Sequence, residues 1–335
     1  MTAPAVTDRP SPAVGRVRTA LGSPQSMLAL VCAAGFVVLA VTTHGNLLTG
    51  ATLAALLQYL AVPMVIGLSQ MAVLAVGQMN LSVGVLTGFC AMSAAWMMAV
   101  AGVPAPVAVL AALLLGAAIG LVNGLLVVFT RINAFVVTLA TSTIIDGLRY
   151  GINGPDTYQN YSPGLVRLGR DSVLGLPVVF LAALAVAVGV WAFFARTVAG
   201  RHVLASGGAP AAARLSGISN DRSVLIAHTL SGLLAAVAAV LTVTLSGSVN
   251  ASVGDDLLLP SFAAPIIGGV VLAGGVVSVL GTCLAAFAVR LVNVAQAQFA
   301  ISQAWVDLIV GAVVLGVVLL GAIRPRIGGR ASWQT

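Results

Sequence analysis

Of the 335 residues, 60% are hydrophobic and 7% are charged, where a soluble domain carries about 25%, so the chain cannot cover a water-facing core and is read as membrane-embedded. Every basic residue is Arg and every acid is Asp, which excludes a Walker-type lysine, a Schiff-base lysine and glutamate acid–base chemistry. The net charge of +7 is explained by Arg in loops on the cytoplasmic side and does not call for nucleic acid.

Residues 1–26 are polar, rich in Pro and Ala, and carry Arg9, Arg16 and Arg18; they read as a disordered cytoplasmic tail. No further formal charge occurs until Arg131. One crossing takes roughly 20 apolar residues, so this stretch alone holds several. Continuous apolar runs, rather than strict alternation, select helices over a barrel. The expected helices are 27–43, 51–77, 81–102, 104–130 and 133–150, then a polar loop over 151–174. A sixth follows at 175–194, a loop with four Arg at 195–222, and further helices at 224–247, 258–272 (short), 276–300 and 305–322. The fold class is therefore an all-α membrane protein with about ten crossings, a permease body over 27–322 and a second cytoplasmic tail at 323–335.

Arg tests this topology. With a cytoplasmic N-terminus and ten crossings, eleven of the Arg, from Arg9 to Arg330, fall inside, and only Arg167 and Arg170 lie in outer loops, beside Asp156, Asp171, Asp255 and Asp256. That is the positive-inside pattern. Leu121-Val122-Asn123 recurs as Leu291-Val292-Asn293 in helices that would run in opposite directions. Two inverted five-helix halves would produce this; chance is the rival reading of a three-residue match.

Several motifs carry more than one reading. Gly77–Gly84 interrupts an apolar stretch. It is either a broken segment exposing Asn80 and Ser82 to a wet pathway or a turn with Asn80 capping the next helix. Gly116, Gly120 and Gly124 form a close-packing face, with Asn123 beside it. Gly268-Gly269 and Gly274-Gly275 mark a second broken or re-entrant segment over 266–278. Arg290 and Asp307 lie at membrane depth and are read as a structural ion pair, or as residues snorkelling to an interface. Asp146 and Arg149 can pair at i,i+3. Ala211, Ala212, Ala213, Arg214, Leu215, Ser216, Gly217 and Ile218 form a short helix closed by Gly217, either a handle for a partner or a solvated loop. Cys32, Cys90 and Cys283 are packing residues. His44, His202 and His228 have no metal-site spacing, so no metal or cofactor is expected.

These blocks resemble, in order, the permease subunits of ribose/xylose/arabinose-type ABC importers. The matching pieces are Gly77–Gly84; Gly120–Arg149; Gly200-Arg201, Gly207-Gly208 and Ala212–Ile218; and Ile266–Gly269 with Gly274-Gly275 and Ser278–Thr282. Asn80 stands where that family usually has Asp, Ala209-Pro210-Ala211 replaces a more acidic stretch, and Val270, Val271, Val276 and Val277 replace smaller or polar residues.

The resemblance implies a non-catalytic permease subunit in the bacterial inner membrane, both termini cytoplasmic, transporting a small polar solute such as a monosaccharide. Asn80, Ser82, Asn123 and Asn293 would line the pathway, and Ala211–Ile218 would be the coupling helix to an ABC ATPase. A periplasmic solute-binding protein would meet outer residues including Tyr158, Tyr161 and Asp255. A second permease copy or a paralogue, and membrane lipid, complete the partners. Permeases for amino acids, nucleosides or an autoinducer, and an ion-coupled secondary transporter, are the alternatives. A membrane enzyme would need convergent ionisable residues that the sequence does not present.

Overall fold

The computed structural model describes residues 24–153, 156–159 and 161–300, together with 302, 304, 305, 308, 311, 312, 315 and 316. Twelve α-helices occur among them: α1 Pro24–Thr42, α2 Gly50–Leu74, α3 Val83–Ala99, α4 Ala105–Thr130, α5 Ala134–Asn153, α6 Pro163–Arg170, α7 Val178–Arg196, α8 Val198–Gly208, α9 Pro210–Leu215, α10 Asn220–Ser246, α11 Leu258–Ile267 and α12 Val279–Phe299. Two short antiparallel pairs close one end of the bundle. β1 (Tyr158–Gln159) pairs with β4 (Ser248–Val249), and β2 (Ser172–Val173) with β3 (Leu176–Pro177).

Six described helices, α1, α2, α4, α7, α10 and α12, are long and apolar enough to cross a membrane, and the 17-residue α3 is apolar but shorter. The expected helix at 305–322 falls mostly outside the described residues, as does the tail over 323–335; of the expected tail over 1–26, the residues from Pro24 on begin α1 and the rest lies outside the described residues. The starts follow ordinary capping chemistry. Ser219 caps α10 by accepting from Arg222 N at 3.2 Å, Ser278 caps α12 through Gly281 N at 3.0 Å, and Thr197 caps α8 through Gly200 N at 3.0 Å.

Burial divides the helices into two kinds. From Leu60 to Ala75, α2 is almost wholly enclosed, and α10 is buried along Leu234, Ala235, Ala236, Ala238 and Ala239. A helix apolar on all sides and enclosed is a core helix. By contrast α1, α4 and α7 leave Val37, Leu114, Phe129 and Val188 open, faces that suit lipid. α4 packs closely on α10. A Cβ on Gly116 would stand 2.6 Å from Gly232 O, and one on Gly120 2.4 Å from His228 O. The glycine face read from the sequence is therefore a packing face.

Four expectations are corrected. The helix expected over 258–272 stops at Ile267, because Gly269 turns left-handed (φ +87°) and Val270 N returns to Pro265 O at 2.9 Å. The apolar Val270-Val271-Leu272 that suggested continuation is a turn. The segment 195–222 is not a loop with one short helix, since α8 fills Val198–Gly208 and contains Gly207-Gly208. The short helix is Pro210–Leu215, with Ser216 to Ile218 forming its closure rather than its last turn. The polar loop over 151–174 contains α6 and strand residues.

Candidate functional site

The break between α2 and α3 is built by one backbone device. Gly77 adopts φ +71°, Gln78 N donates to Val73 O at 3.2 Å, and Gly77 N donates to Leu74 O at 2.9 Å. This paired closure after a left-handed glycine ends a helix without orphaning its last carbonyls. The chain then crosses to α3 through residues 78–82 in the middle of the bundle, where every polar group needs a partner.

Those partners form a closed network. Asn80 Oδ1 accepts from Ser82 N at 3.0 Å and from Ser82 Oγ at 2.7 Å, and its Nδ2 donates to Ser231 Oγ at 3.1 Å. Asn123 Nδ2 donates to Ser82 Oγ at 3.1 Å. Ser69 Oγ lies 2.8 Å from Ser231 O and 3.1 Å from Ser231 Oγ. With its amide turned to satisfy both groups, Gln70 donates to Asn80 O at 2.9 Å and accepts from Asn80 N at 3.2 Å. Leu81 N donates to Thr138 Oγ1 at 3.0 Å. Asn80, Ser82, Asn123, Ser69, Gln70, Thr138 and Ser231 are all fully buried. One group is left over: Asn123 Oδ1 has no hydrogen-bond partner among the described residues. Beside the network, His228 Nε2 lies 2.9 Å from Gln78 Oε1.

Cavities lie on both sides of this plug. One of about 310 Å³ is bounded by Gly77, Gln78, Asn133 and the Arg131–Asp221 pair, held at 3.0 and 3.1 Å. The other, of about 320 Å³, is bounded by Leu81, Gly84, Asp146, Arg149 and Asp255. Arg149 bonds both Asp146 and Asp255, so the expected i,i+3 pair is present with a third member from the loop before α11.

Of the four residues expected to line a pathway, Asn80, Ser82 and Asn123 meet in one network; Asn80 is not the cap of α3, whose N-cap is Ser82 with no side-chain cap bond, and its Oδ1 instead closes a turn on Ser82 N. Asn293 is half-buried on α12, and Leu291 beside it is buried where Leu121 is open. Arg290 places its guanidinium 5.1 Å from the centre of the Tyr59 ring, and Asp307, its expected partner, lies outside the described residues. Tyr158 and Tyr161 are not surface contacts. Both are buried, and Tyr161 Oη donates to Val243 O at 2.7 Å. Burial pushes the Tyr161 phenol up to about 12, and burial with Asp156 nearby raises Tyr158. Sequence reasoning missed Ser69, Gln70, Gln78, His228 and Ser231. The available signal was two adjacent polar residues inside the apolar α2, and His228 with Ser231 at i,i+3 beside Gly232.

A second region joins the α8–α9 segment to both breaks. A Cβ on Gly207 would lie 1.9 Å from Ala75 O, one on Gly274 2.7 Å from Gly77 N, and one on Gly275 2.4 Å from Gly208 Cα. Gly275 N donates to Ala75 O at 2.9 Å. Three backbones thus touch directly where the end of α2, the end of α8 and the 270–275 turn converge. Beyond it, α9 buries Ala213 and leaves Ala211, Ala212, Arg214, Ser216 and Leu215 exposed, Leu215 at 91%. Gly217 (φ +79°) closes α9 with the same bond pair seen at Gly77: Ile218 N to Ala213 O and Gly217 N to Arg214 O.

Comparison with known proteins gives this geometry a family. Residues 46–318 match the family described as branched-chain amino acid transport system / permease component. The chain is similar to the autoinducer 2 import system permease proteins of Escherichia coli and Shigella flexneri, at 34% identity over 227 residues, 66% of this chain and 68% of the relatives. No solved structure matches it.

Proposed function

The chain belongs to the family of permease components of branched-chain amino acid transport systems, and from that premise we propose that it forms the solute pathway of a bacterial ABC importer for a monosaccharide. It is a multi-pass membrane protein and a non-catalytic transport subunit, so a separate ATPase supplies the energy and a periplasmic binding protein supplies the solute.

The observation that carries this reading is the buried polar plug at the α2–α3 break, with a cavity on either side. A polar network at membrane depth is costly unless its groups are paired, and polar residues there commonly mark solute pathways; a broken helix is the ordinary way to place polar groups there. Asn80, Ser82 and Asn123 form the gate in its closed state, with Asn293 on the opposite half. The body spans 27–322 with both tails and segment 195–222 in the cytoplasm, as the distribution of Arg supports. The ATPase docks on Ala211–Ile218, where Leu215 is open. A second copy, or a paralogue, completes the pathway. ATP-driven closure of the ATPase pair then rocks the two permeases between outward and inward openings.

Uptake of D-ribose into vesicles holding the chain, its ATPase and its binding protein tests this. Uptake that requires ATP is expected. Accumulation by the chain alone on a proton or sodium gradient would overturn it in favour of a secondary transporter. The similarity to autoinducer 2 permeases favours a second solute reading, and faster uptake of autoinducer 2 than of D-ribose would select it.

A further inference from the structure

The cavity on the Leu81 side of the plug has walls that specify a ligand chemistry. It opens between α3, α5 and α11. Gly84 and Gly88 allow the loop before α11 to lie on α3, since a Cβ on Gly88 would stand 2.0 Å from Val253 O and 2.7 Å from Arg149 Nη1. Arg149 is 1% exposed and ties the wall together: Nη1 donates to Val253 O at 3.0 Å, and Nη2 bonds Asp146 Oδ1 and, at 2.8 Å, Asp255 Oδ1. Both carboxylates remain nearly half exposed, at 44% and 49%.

The balance of donors and acceptors then decides what fits. Each carboxylate offers Arg149 one oxygen and keeps a second acceptor. Ser142 and Thr143 donate their hydrogens to Leu139 O, at 2.8 and 3.2 Å, which leaves their lone pairs free. Two carboxylates against one guanidinium leave the wall net negative, which disfavours an anion. An apolar solute would strand every one of these groups. A neutral molecule with several hydroxyls satisfies them, because each hydroxyl can donate to a carboxylate or side-chain oxygen. About 320 Å³ is at the small end of ligand pockets.

We propose that this cavity is a binding subsite for a neutral polyhydroxyl solute of pentose or hexose size, held by Asp146 and Asp255, which Arg149 fixes in place. The assignment rests on the importer reading above.

The test uses the full chain with Cys32, Cys90 and Cys283 replaced by Ala, carrying Ser142→Cys or Thr143→Cys and reconstituted with its ATPase. A water-soluble methanethiosulfonate should label either cysteine, and D-ribose or D-glucose at ten times its dissociation constant should slow labelling about tenfold, in proportion to occupancy. Asp146→Asn, half-exposed and so expected to fold, should keep the labelling and lose the protection. No labelling, labelling unaffected by both sugars, protection by L-leucine in place of the sugars, or full protection in Asp146→Asn would each overturn the subsite. ATP-driven D-ribose uptake by the cysteine-free parent separates the two claims. If it fails, the monosaccharide reading falls; if it proceeds while labelling is unprotected, only the subsite falls.

Discussion

Asn80 bonds Ser82, Ser231 and Gln70 at once, at a fully buried position where water cannot replace a lost partner. Ser82→Ala removes one of the two donors to Asn80 Oδ1 and, among the described residues, the acceptor of Asn123 Nδ2. A loss of about 1–3 kcal/mol is expected, read as a lower unfolding temperature in detergent, and an unchanged transition would dissolve the network's structural role. A bulky residue at Ser82 would overfill a fully buried site. Tyr161→Phe removes the bond to Val243 O, at a cost of about 1 kcal/mol. It also removes a pH dependence. The phenol is raised from 10.0 to about 12, so the folded state favours the neutral form. Its stabilising effect is complete below pH 10 and is lost as pH climbs through about 12. The parent should therefore show a decline over that window, and Tyr161→Phe a shallower one, in thermal unfolding measured from pH 8 upward.

At the scale of elements, glycine carries most of the architecture. Gly77, Gly217 and Gly269 each adopt positive φ and end a helix with the same pair of backbone bonds, and all three fall where the sequence showed punctuation. Gly207-Gly208 read as punctuation too, yet both lie inside α8. Their role is contact, and a glycine needed for a neighbouring backbone looks the same in sequence as one needed for a turn. Gly207→Ala is expected to lower stability or yield by about 1–3 kcal/mol, because its Cβ would meet Ala75 O at 1.9 Å, whereas Gly208→Ala meets Gly275 Cα at 3.4 Å and should cost much less. Equal unfolding temperatures in the two variants would show that the junction yields. On α9, Arg214→Ala and Leu215→Ser change only exposed side chains. Both should insert normally, retain ATP hydrolysis in the complex and lose uptake, and normal uptake would take α9 out of coupling. The candidate site was half legible. Asn80 and Ser82 stood out because Gly77 and Gly84 flank them, and Asn123 because it follows Gly120. Ser69, Gln78, His228, Ser231 and the third member of the Arg149 cluster, Asp255, were hidden, because each is paired across more than 100 positions of chain, and Gln70 because its partner is the backbone of Asn80 across the helix break.

At the scale of the molecule, composition alone placed the chain in a membrane, and the enclosed α2 and α10, surrounded by helices with open apolar faces, agree with that. The count of crossings was less legible, since length and hydropathy do not separate a short enclosed helix such as α11 from a full crossing. Orientation is testable directly: Leu215→Cys should react with an impermeant maleimide in inside-out vesicles and not in right-side-out ones, and the reverse pattern would invert the topology. The junction at Ala75, Gly207 and Gly275 has one more consequence. Side chains can change rotamer and absorb a small push. Peptide groups in direct contact have no such slack, so a force that tilts α8 arrives undiminished at the floor of one cavity and at the hairpin bend leading into α12.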